Sequence, residues 1–361
     1  MPSRVRRWVA RATPSARLVD WTLLVLVVSL VGSGLVSLVS GDPNDAFVFW
    51  FHSVAGVVLL FVLSVKLWRV RRRVAERRLR TNATWLSVAL TAVTVGALST
   101  GVFWVFGGDF RLLYWGALNV HIFFGLLLVP LFLAHLWTRR TLPGFRLPRR
   151  SDVDGRRDVL RYTGLLVGGA LLWRGQQTVN RVFDTAGATR RFTGSKPIEG
   201  SEFPVTSWVA DDPDPIDRST WRLRVGGLVA DELELGVENL DTDGELQALL
   251  DCTSGWYTVQ DWRGVRVGDL LDRAGVDDDG QWVQFRSVTG YRWSLPIEEA
   301  RGALLATHVG GERLSHGHGA PIRLVAPGRR GFQWVKWVES VDVRETQDFG
   351  QWVAVLVSGF D

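Results

Sequence analysis

Four apolar runs, Leu18 to Ser40, Ala46 to Trp68, Thr84 to Phe106 and Leu112 to Trp137, fill most of the N-terminal part of the chain. At about 1.5 Å per helical residue, each can cross a hydrocarbon core roughly 30 Å thick. Lipid offers no partner to an unpaired backbone N–H or C=O, so runs of this kind fold as helices, and four in succession dictate a transmembrane bundle. Residues 1 to 17 hold five arginines and no acid, but a cleavable export signal does not fit them, because the following run is long and a second comes at once.

The connections set the orientation. Gly41 to Asp45 and Gly107 to Arg111 carry one basic residue between them, whereas Lys66 to Arg80 and Arg139 to Arg161 carry eight each. Basic loops stay in the cytoplasm, so the N-terminus and both basic loops are expected inside. Residues 1 to 174 have a net charge of +15 and residues 175 to 361 a net of −10. The positive excess therefore belongs to membrane topology, and no nucleic-acid partner is expected.

The bundle contains a repeat. S-G-L-V-S-L-V-S-G-D ending at Asp42 matches T-G-V-F-W-V-F-G-G-D ending at Asp109, and both even-numbered helices read H-x3-G-x9-[K/H]-L-W, from His52 to Trp68 and from His121 to Trp137. This is a duplicated helix pair. A histidine in lipid is costly, and two at similar depth on neighbouring helices can ligate a haem iron from both faces; hydrogen bonding between helices is the other use of such residues. Counted from the ends of the apolar runs, His52 lies about six and His121 about nine residues inside, roughly 9 to 14 Å deep in the outer leaflet. His135 lies about 21 Å deeper than His121 on nearly the same face, and its counterpart is Lys66. The bundle is similar to bacterial four-helix b-type cytochromes, which implies quinone or quinol as redox partner and one haem b at His52 and His121. His135 is a possible ligand of a second haem or a quinone-site residue, and Lys66 breaks that second pair.

Arg156-Arg157 precede a modestly apolar stretch, Tyr162 to Trp173, that resembles a twin-arginine export signal and reads equally as a fifth membrane helix. Val159 to Trp173 would give only about 22 Å of helix. The expected organisation is a four-helix domain over 1–150, an anchor over 151–178, a polar tether over 179–202 and a second folded domain over 203–361, outside the cytoplasm.

In that last part, strands are expected at Trp221–Val225, Trp282–Val288, Ile322–Ala326 and Val335–Val343, and short helices at Asp243–Leu250, Val267–Ala274 and Ile297–Ala306. Elements mixed without strict alternation make this domain α+β. Cys252, the only cysteine, stands before a polar T-S-G turn and reads as an exposed loop residue. A lone thiol can be core filler, nucleophile or soft metal ligand, and His308, His316 and His318 keep a cysteine-hydrolase reading open.

Cys252 with Gly255-Trp256 and D-W-R-G-V-R-V-G-D-L-L, then H-G-H-G-A-P-I-R-L-V-A-P-G from His316 to Gly328, then V-K-W from Val335 to Trp337, resemble the sulfite oxidase-type molybdopterin domain over roughly half of the chain. The resemblance implies that Cys252 ligates molybdenum of a Mo-molybdopterin cofactor and that Ser287, His318, Arg323, Val335 and Lys336 contact the pterin and its phosphate. Sulfite oxidases carry an arginine soon after the metal-bound cysteine. Trp256 stands there instead, an apolar wall with one donor at the catalytic centre. A neutral S- or N-oxide, of the kind taken by the related periplasmic methionine sulfoxide reductases, therefore fits better than sulfite. The expectation is a membrane-bound molybdenum oxidoreductase exchanging electrons with quinone through haem b. Sulfite-type oxidation in the opposite direction, and a non-catalytic haem sensor or electron conduit, are the alternatives.

Overall fold

The computed structural model describes residues 15–76, 82–113, 115–140, 155–200, 202–207 and 211–358. The arginines before residue 15, the end of the first basic loop, residues 141–154 of the second and Trp208 lie outside them. The chain divides into two compact units that meet in sequence at Lys196 and Pro197.

The first unit is helical. α1 (Ala16–Val39), α2 (Ala46–Ala75), α3 (Asn82–Val105) and α4 (Ala117–Arg140) are each long and apolar enough to cross a membrane. Ser15 caps α1, its hydroxyl accepting the Leu18 N–H at 3.2 Å. α1 packs along α2 and α3 along α4, so the sequence repeat is a pair of helical hairpins. The last span begins later than expected. Arg111–Leu112 and Trp115–Gly116 form a small antiparallel hairpin, and α4 starts only at Ala117. His121 then lies four residues inside its helix and His52 six, which brings both rings to about 6 to 9 Å from their helix starts.

α5 (Arg156–Val182) is longer than the Val159–Trp173 segment expected and follows the bundle from end to end. Near its start, the Tyr162 hydroxyl is 2.7 Å from Thr22 Oγ1 of α1; one turn on, Leu165 packs against the buried cluster of Val19, Val58 and Val62. Further on, Trp173 meets Trp50, and Gln176 and Asn180 donate to Val105 O, a carbonyl the C-terminus of α3 leaves unpaired. The expected tether is thus folded. α5 runs to Val182, Thr193 and Ser195 are buried, and Trp104 donates from its indole to Gly194 O at 3.0 Å. Its polar side chains satisfy the helix end, a use that a polar composition does not reveal.

The second unit is α+β. β4 (Trp256–Arg266) pairs antiparallel with β3 (Gly244–Cys252) and β7 (Leu304–Val309), and β7 also pairs with β8 (Glu312–Arg313) and β9 (Arg323–Val325). In a second sheet of order β2-β1-β10-β5-β6, formed by β1 (Arg222–Gly227), β2 (Leu233–Gly236), β5 (Trp282–Ser287), β6 (Arg292–Pro296) and β10 (Val338–Arg344), only β1 and β10 are parallel. α6 (Val267–Ala274) has its expected bounds: Val267, Leu270, Leu271 and Ala274 form the buried stripe, and Gly275 ends it at φ 68°. α7 (Ile297–Arg301) and α8 (Gln351–Val357) are short.

Two expectations fail here. Asp243–Leu250 is not a helix but most of β3, because Ala248, Leu250 and Cys252 are buried at the two-residue spacing of a strand whose nine residues all pair with β4. Ile297–Ala306 is helical only to Arg301; Leu304, Leu305 and Ala306 have no exposure and form a central strand. Continuous apolar runs suit either element, and pairing decides between them.

Gly169 of α5 faces α2, where an added Cβ would meet Val58 at 3.0 Å, while one on Gly164 would meet nothing within 4 Å. Gly169→Leu is expected to cost about 1–3 kcal/mol, read as a lower thermal midpoint of the detergent-solubilised chain. Gly164→Leu is the control, expected to leave the midpoint in place.

Candidate functional site

Cys252 ends β3, and the hairpin that returns to β4 places Trp256 directly opposite it, so both side chains rise from one face of the sheet. The tight return needs Gly255, at φ 99°. Cys252 is buried, against the expectation of an exposed loop residue, because β3 and β4 pair up to the turn itself. Its Sγ lies 3.4 Å from both the Ser254 N–H and Thr206 Oγ1. Beneath it, Arg330 forms a buried ion pair with Asp251 at 3.1 Å and donates to Cys252 O at 3.4 Å.

The H-G-H-G segment brings the other residues in. Ser315 caps a short 3-10 turn, His316–His318, and its hydroxyl lies 2.9 Å from His318 Nδ1; His318 Nε2 is 3.0 Å from Phe203 O. Burial and the nearby Arg323 and Lys336 hold the His318 pKa below the ordinary imidazole range, although the Phe203 bond opposes the shift. His316 Nε2 lies 2.8 Å from Pro213 O. Gly319 stands at φ 104° between Arg323 and Lys336, where an added Cβ would lie 3.0 Å from the Cβ of each.

Arg323 is 3% exposed, donates to His318 O at 3.1 Å and lies over the rings of Trp262 and Trp334. Burial lowers its pKa to about 10 while the charge of Cys252 acts to raise it, and its Nε is buried without a partner. Lys336 donates to Thr206 O, Ser207 Oγ and Gly317 O at 2.6 to 2.9 Å, three acceptors for the three N–H bonds of an ammonium. Burial and Arg323 pull it down to about 7, and Asp211 and Cys252 act against them. Trp337, next in sequence, takes φ 49° and donates from its indole to His316 O at 2.9 Å.

The expected positions do not converge equally. Trp256 joins the pocket wall through Phe203, which also touches Trp262 and His318, and its indole N–H is buried without a partner. Ser287 is buried and its Oγ accepts from the Thr289 N–H and hydroxyl. The Val335 side chain is buried, and its carbonyl accepts from the Leu324 N–H. Sequence reading missed Thr206, Asp251 and Arg330 beside the thiol, and Asp211, whose carboxyl is pushed up by burial. Single polar residues outside a motif carry no signal in one sequence. A buried guanidinium with an unpaired N–H, a half-buried ammonium and a thiol facing a backbone N–H make a pocket suited to an anionic cofactor with a soft metal.

In the helical unit, the rings of His52 and His121 are 6.1 Å apart between centroids and 79° apart in plane. Two imidazoles bound to one ion at about 2.0 Å, each bonded nitrogen about 1.1 Å from its ring centre, would place their centroids roughly 6 Å apart. His121 Nδ1 is 2.9 Å from Ala97 O, which can only accept, so Nδ1 carries the proton and Nε2 keeps its lone pair. His52 Nδ1 is 2.9 Å from Ser33 Oγ, whose own proton goes to Leu30 O at 3.2 Å, and this leaves His52 in the same tautomer. Each ring faces a glycine: an added Cβ would meet His52 Cε1 at 3.6 Å from Gly34 and His121 Cε1 at 3.1 Å from Gly101. The repeated S-G and T-G pairs are therefore the polar and steric partners of the two histidines. One layer inward the symmetry breaks. His135 Nδ1 is 3.5 Å from Ser87 Oγ, but at the equivalent positions Lys66 forms an ion pair with Asp20.

Residues 210–352 match the family model described as "Oxidoreductase molybdopterin binding domain". The chain is 30% identical over 157 residues to a Bacillus subtilis protein described as "Uncharacterized oxidoreductase YuiH", spanning 42% of this chain and 79% of that one. It is 30% identical over 158 residues to the "Protein-methionine-sulfoxide reductase catalytic subunit MsrP" of Xanthomonas axonopodis pv. citri, with 37% of this chain and 48% of the relative covered. With "Sulfite oxidase, mitochondrial" of Macaca fascicularis it shares 31% identity over 123 residues, 31% of this chain and 23% of that protein.

Gly319→Ala forces a side chain into the left-handed region and against both cation-bearing residues. It is expected to cost about 1–3 kcal/mol, seen as a lower thermal midpoint, and to reduce cofactor content in the purified protein. Gly311→Ala, also at positive φ (84°) but with nothing within 4 Å of the added Cβ, is expected to lower the midpoint without changing cofactor content.

Proposed function

This chain belongs to the family of oxidoreductases built on a molybdopterin-binding domain, and from that premise we propose that it is a membrane-bound molybdenum oxidoreductase. In this reading it passes electrons from the quinone pool through one haem b, held by His52 and His121, to an extracytoplasmic site that reduces a neutral S- or N-oxide. The observation that carries the reading is the presence, in one chain, of a supported buried thiol and an imidazole pair spaced for one iron.

Bound molybdopterin supplies two-electron oxygen-atom transfer. Cys252 Sγ would hold the metal, with the Ser254 N–H and the Thr206 hydroxyl orienting it. Arg323 would take the phosphate, with the Lys336 charge beside it while its N–H bonds hold Thr206, Ser207 and Gly317, and Gly319 keeps the space between the two clear. The Trp256 indole gives the wall beside the thiol a neutral side chain, which suits a sulfoxide better than an anion. Removing that oxygen as water consumes two electrons and two protons, and the buried Asp211 carboxyl, its pKa raised, is suited to hold one of the protons. Similarity to a methionine-sulfoxide reductase catalytic subunit supports a methionine-sulfoxide-type substrate. The course of α5, from the Thr22 end of the bundle to the Val105 end, supports delivery of the second unit across the membrane.

Detergent-purified protein from molybdate-supplied cells is expected to contain stoichiometric molybdenum and haem b, and its reduced haem to be reoxidised by methionine sulfoxide. Cys252→Ala should lose molybdenum and slow reoxidation by about a thousandfold or more while keeping its haem; His121→Ala should lose the haem. Haem reduction by added sulfite, with no response to sulfoxides, would reverse the assigned direction. Absence of molybdenum would refute the catalytic reading altogether.

A further inference from the structure

The folded segment after α5 has an unexplained position and charge. Residues 186–196, A-G-A-T-R-R-F-T-G-S-K, contain Arg190, Arg191 and Lys196 and no acid. Arg191 and Ser195 close a turn by backbone hydrogen bonds. Phe192 packs at 5.5 Å on Phe49, one helical turn beyond His52. Lys196 Nζ lies 4.1 Å from the ring centre of Trp104, one turn beyond the Gly101 that faces His121, and donates to Gly107 O and Gly108 O. The segment therefore covers the end of the bundle nearest both imidazoles, and its aromatic contacts fix it there.

Its cations are poorly matched. Arg190 is partly buried and donates to Gly187 O at 3.1 Å, but among the described residues no carboxylate lies within ion-pair distance of it. Lys196 has Asp109 at 3.8 Å, a carboxylate whose side chain is 58% exposed. Burial draws Arg190 down to about 10 and lowers Lys196, so each carries a desolvation penalty that an anion would offset.

We propose that residues 186–196 form a carboxylate clamp over the haem, in which Arg190 and Lys196 receive the two propionates of the porphyrin. The clamp rests on the haem reading above and adds to it: the iron is held by the helices, and the acidic edge of the macrocycle by the segment that leads into the second unit. Arg191, whose guanidinium lies 5.0 Å from the ring centre of Phe192, holds that aromatic contact instead.

The test uses the full-length protein in detergent. Arg190→Gln and Lys196→Gln each remove a positive charge beside the porphyrin and are expected to lower the haem midpoint potential in an optical redox titration, with Arg190→Lys staying near the wild type. Haem-depleted protein is then reconstituted with haem or with haem dimethyl ester, which lacks the carboxylates. Wild-type protein should release the ester at least about tenfold faster than haem, whereas the double variant should release both at equal rates. Wild-type protein that takes up no haem overturns the haem reading and the clamp together. If haem binds, but the midpoint and the ester preference are unmoved in Arg190→Gln and in the double variant, the clamp alone is overturned. The same holds if these substitutions change only the binding of anionic phosphatidylglycerol vesicles.

Discussion

A thiol buried in a protein interior loses water and depends on the polar groups the fold brings to it. The end of β3 supplies both the burial and the groups. Full pairing with β4 buries Cys252, while the turn that follows supplies the Ser254 N–H, and Thr206 brings a hydroxyl. The backbone beneath is tied by Arg330 and Asp251, an ion pair almost without exposure. Breaking such a pair leaves an uncompensated buried charge at a cost of about 3–5 kcal/mol, so the position of the thiol is linked to the stability of the sheet. Arg323 adds a buried cation and Lys336 a half-buried one beside it, where burial makes charge expensive. The Nε of Arg323 is buried there without a hydrogen-bond partner, at a cost of about 1–3 kcal/mol.

The helical unit solves a related problem by duplication. In each hairpin the first helix supplies a hydroxyl and a glycine, Ser33-Gly34 or Thr100-Gly101, and the second supplies the imidazole. The hydroxyl or a neighbouring carbonyl fixes the tautomer, and the glycine leaves room beside the ring. One layer inward the same scaffold holds Ser87 with His135 in one hairpin and Asp20 with Lys66 in the other. An ion pair thus stands where the other hairpin has its histidine contact, and its Asp20 carboxylate is half exposed.

Much of this was legible in the residues. The four apolar helices, the duplicated histidine spacing and the bounds of α6 follow from periodicity and turn residues, and the blocks around Cys252, His318 and Lys336 carried the family before any fold was known. Period alone did not separate β3 from a helix, or β7 from the end of one, because L-Q-A-L-L and L-L-A-T-H suit both until a partner strand is present. Asp251, Arg330, Thr206 and Asp211 were invisible for a different reason: each matters through a neighbour distant in sequence, as Arg330 does to Asp251. The stretch after Val182 was misjudged as a tether because its polar composition serves helix ends and not solvent.

That misjudged stretch bears on how such a chain can work at all. α5 is less apolar than the other four helices, and it gains its place from Gly169 against Val58, from the Tyr162 and Thr22 hydroxyls, and from the Asn180 bond to Val105 O. A helix fixed at both ends and in the middle has little freedom to slide. The segment that follows it is bound in turn to Trp104 and Phe49, each one turn from a residue beside or at the imidazole pair. That segment is therefore anchored on the helices, without a flexible spacer at that point.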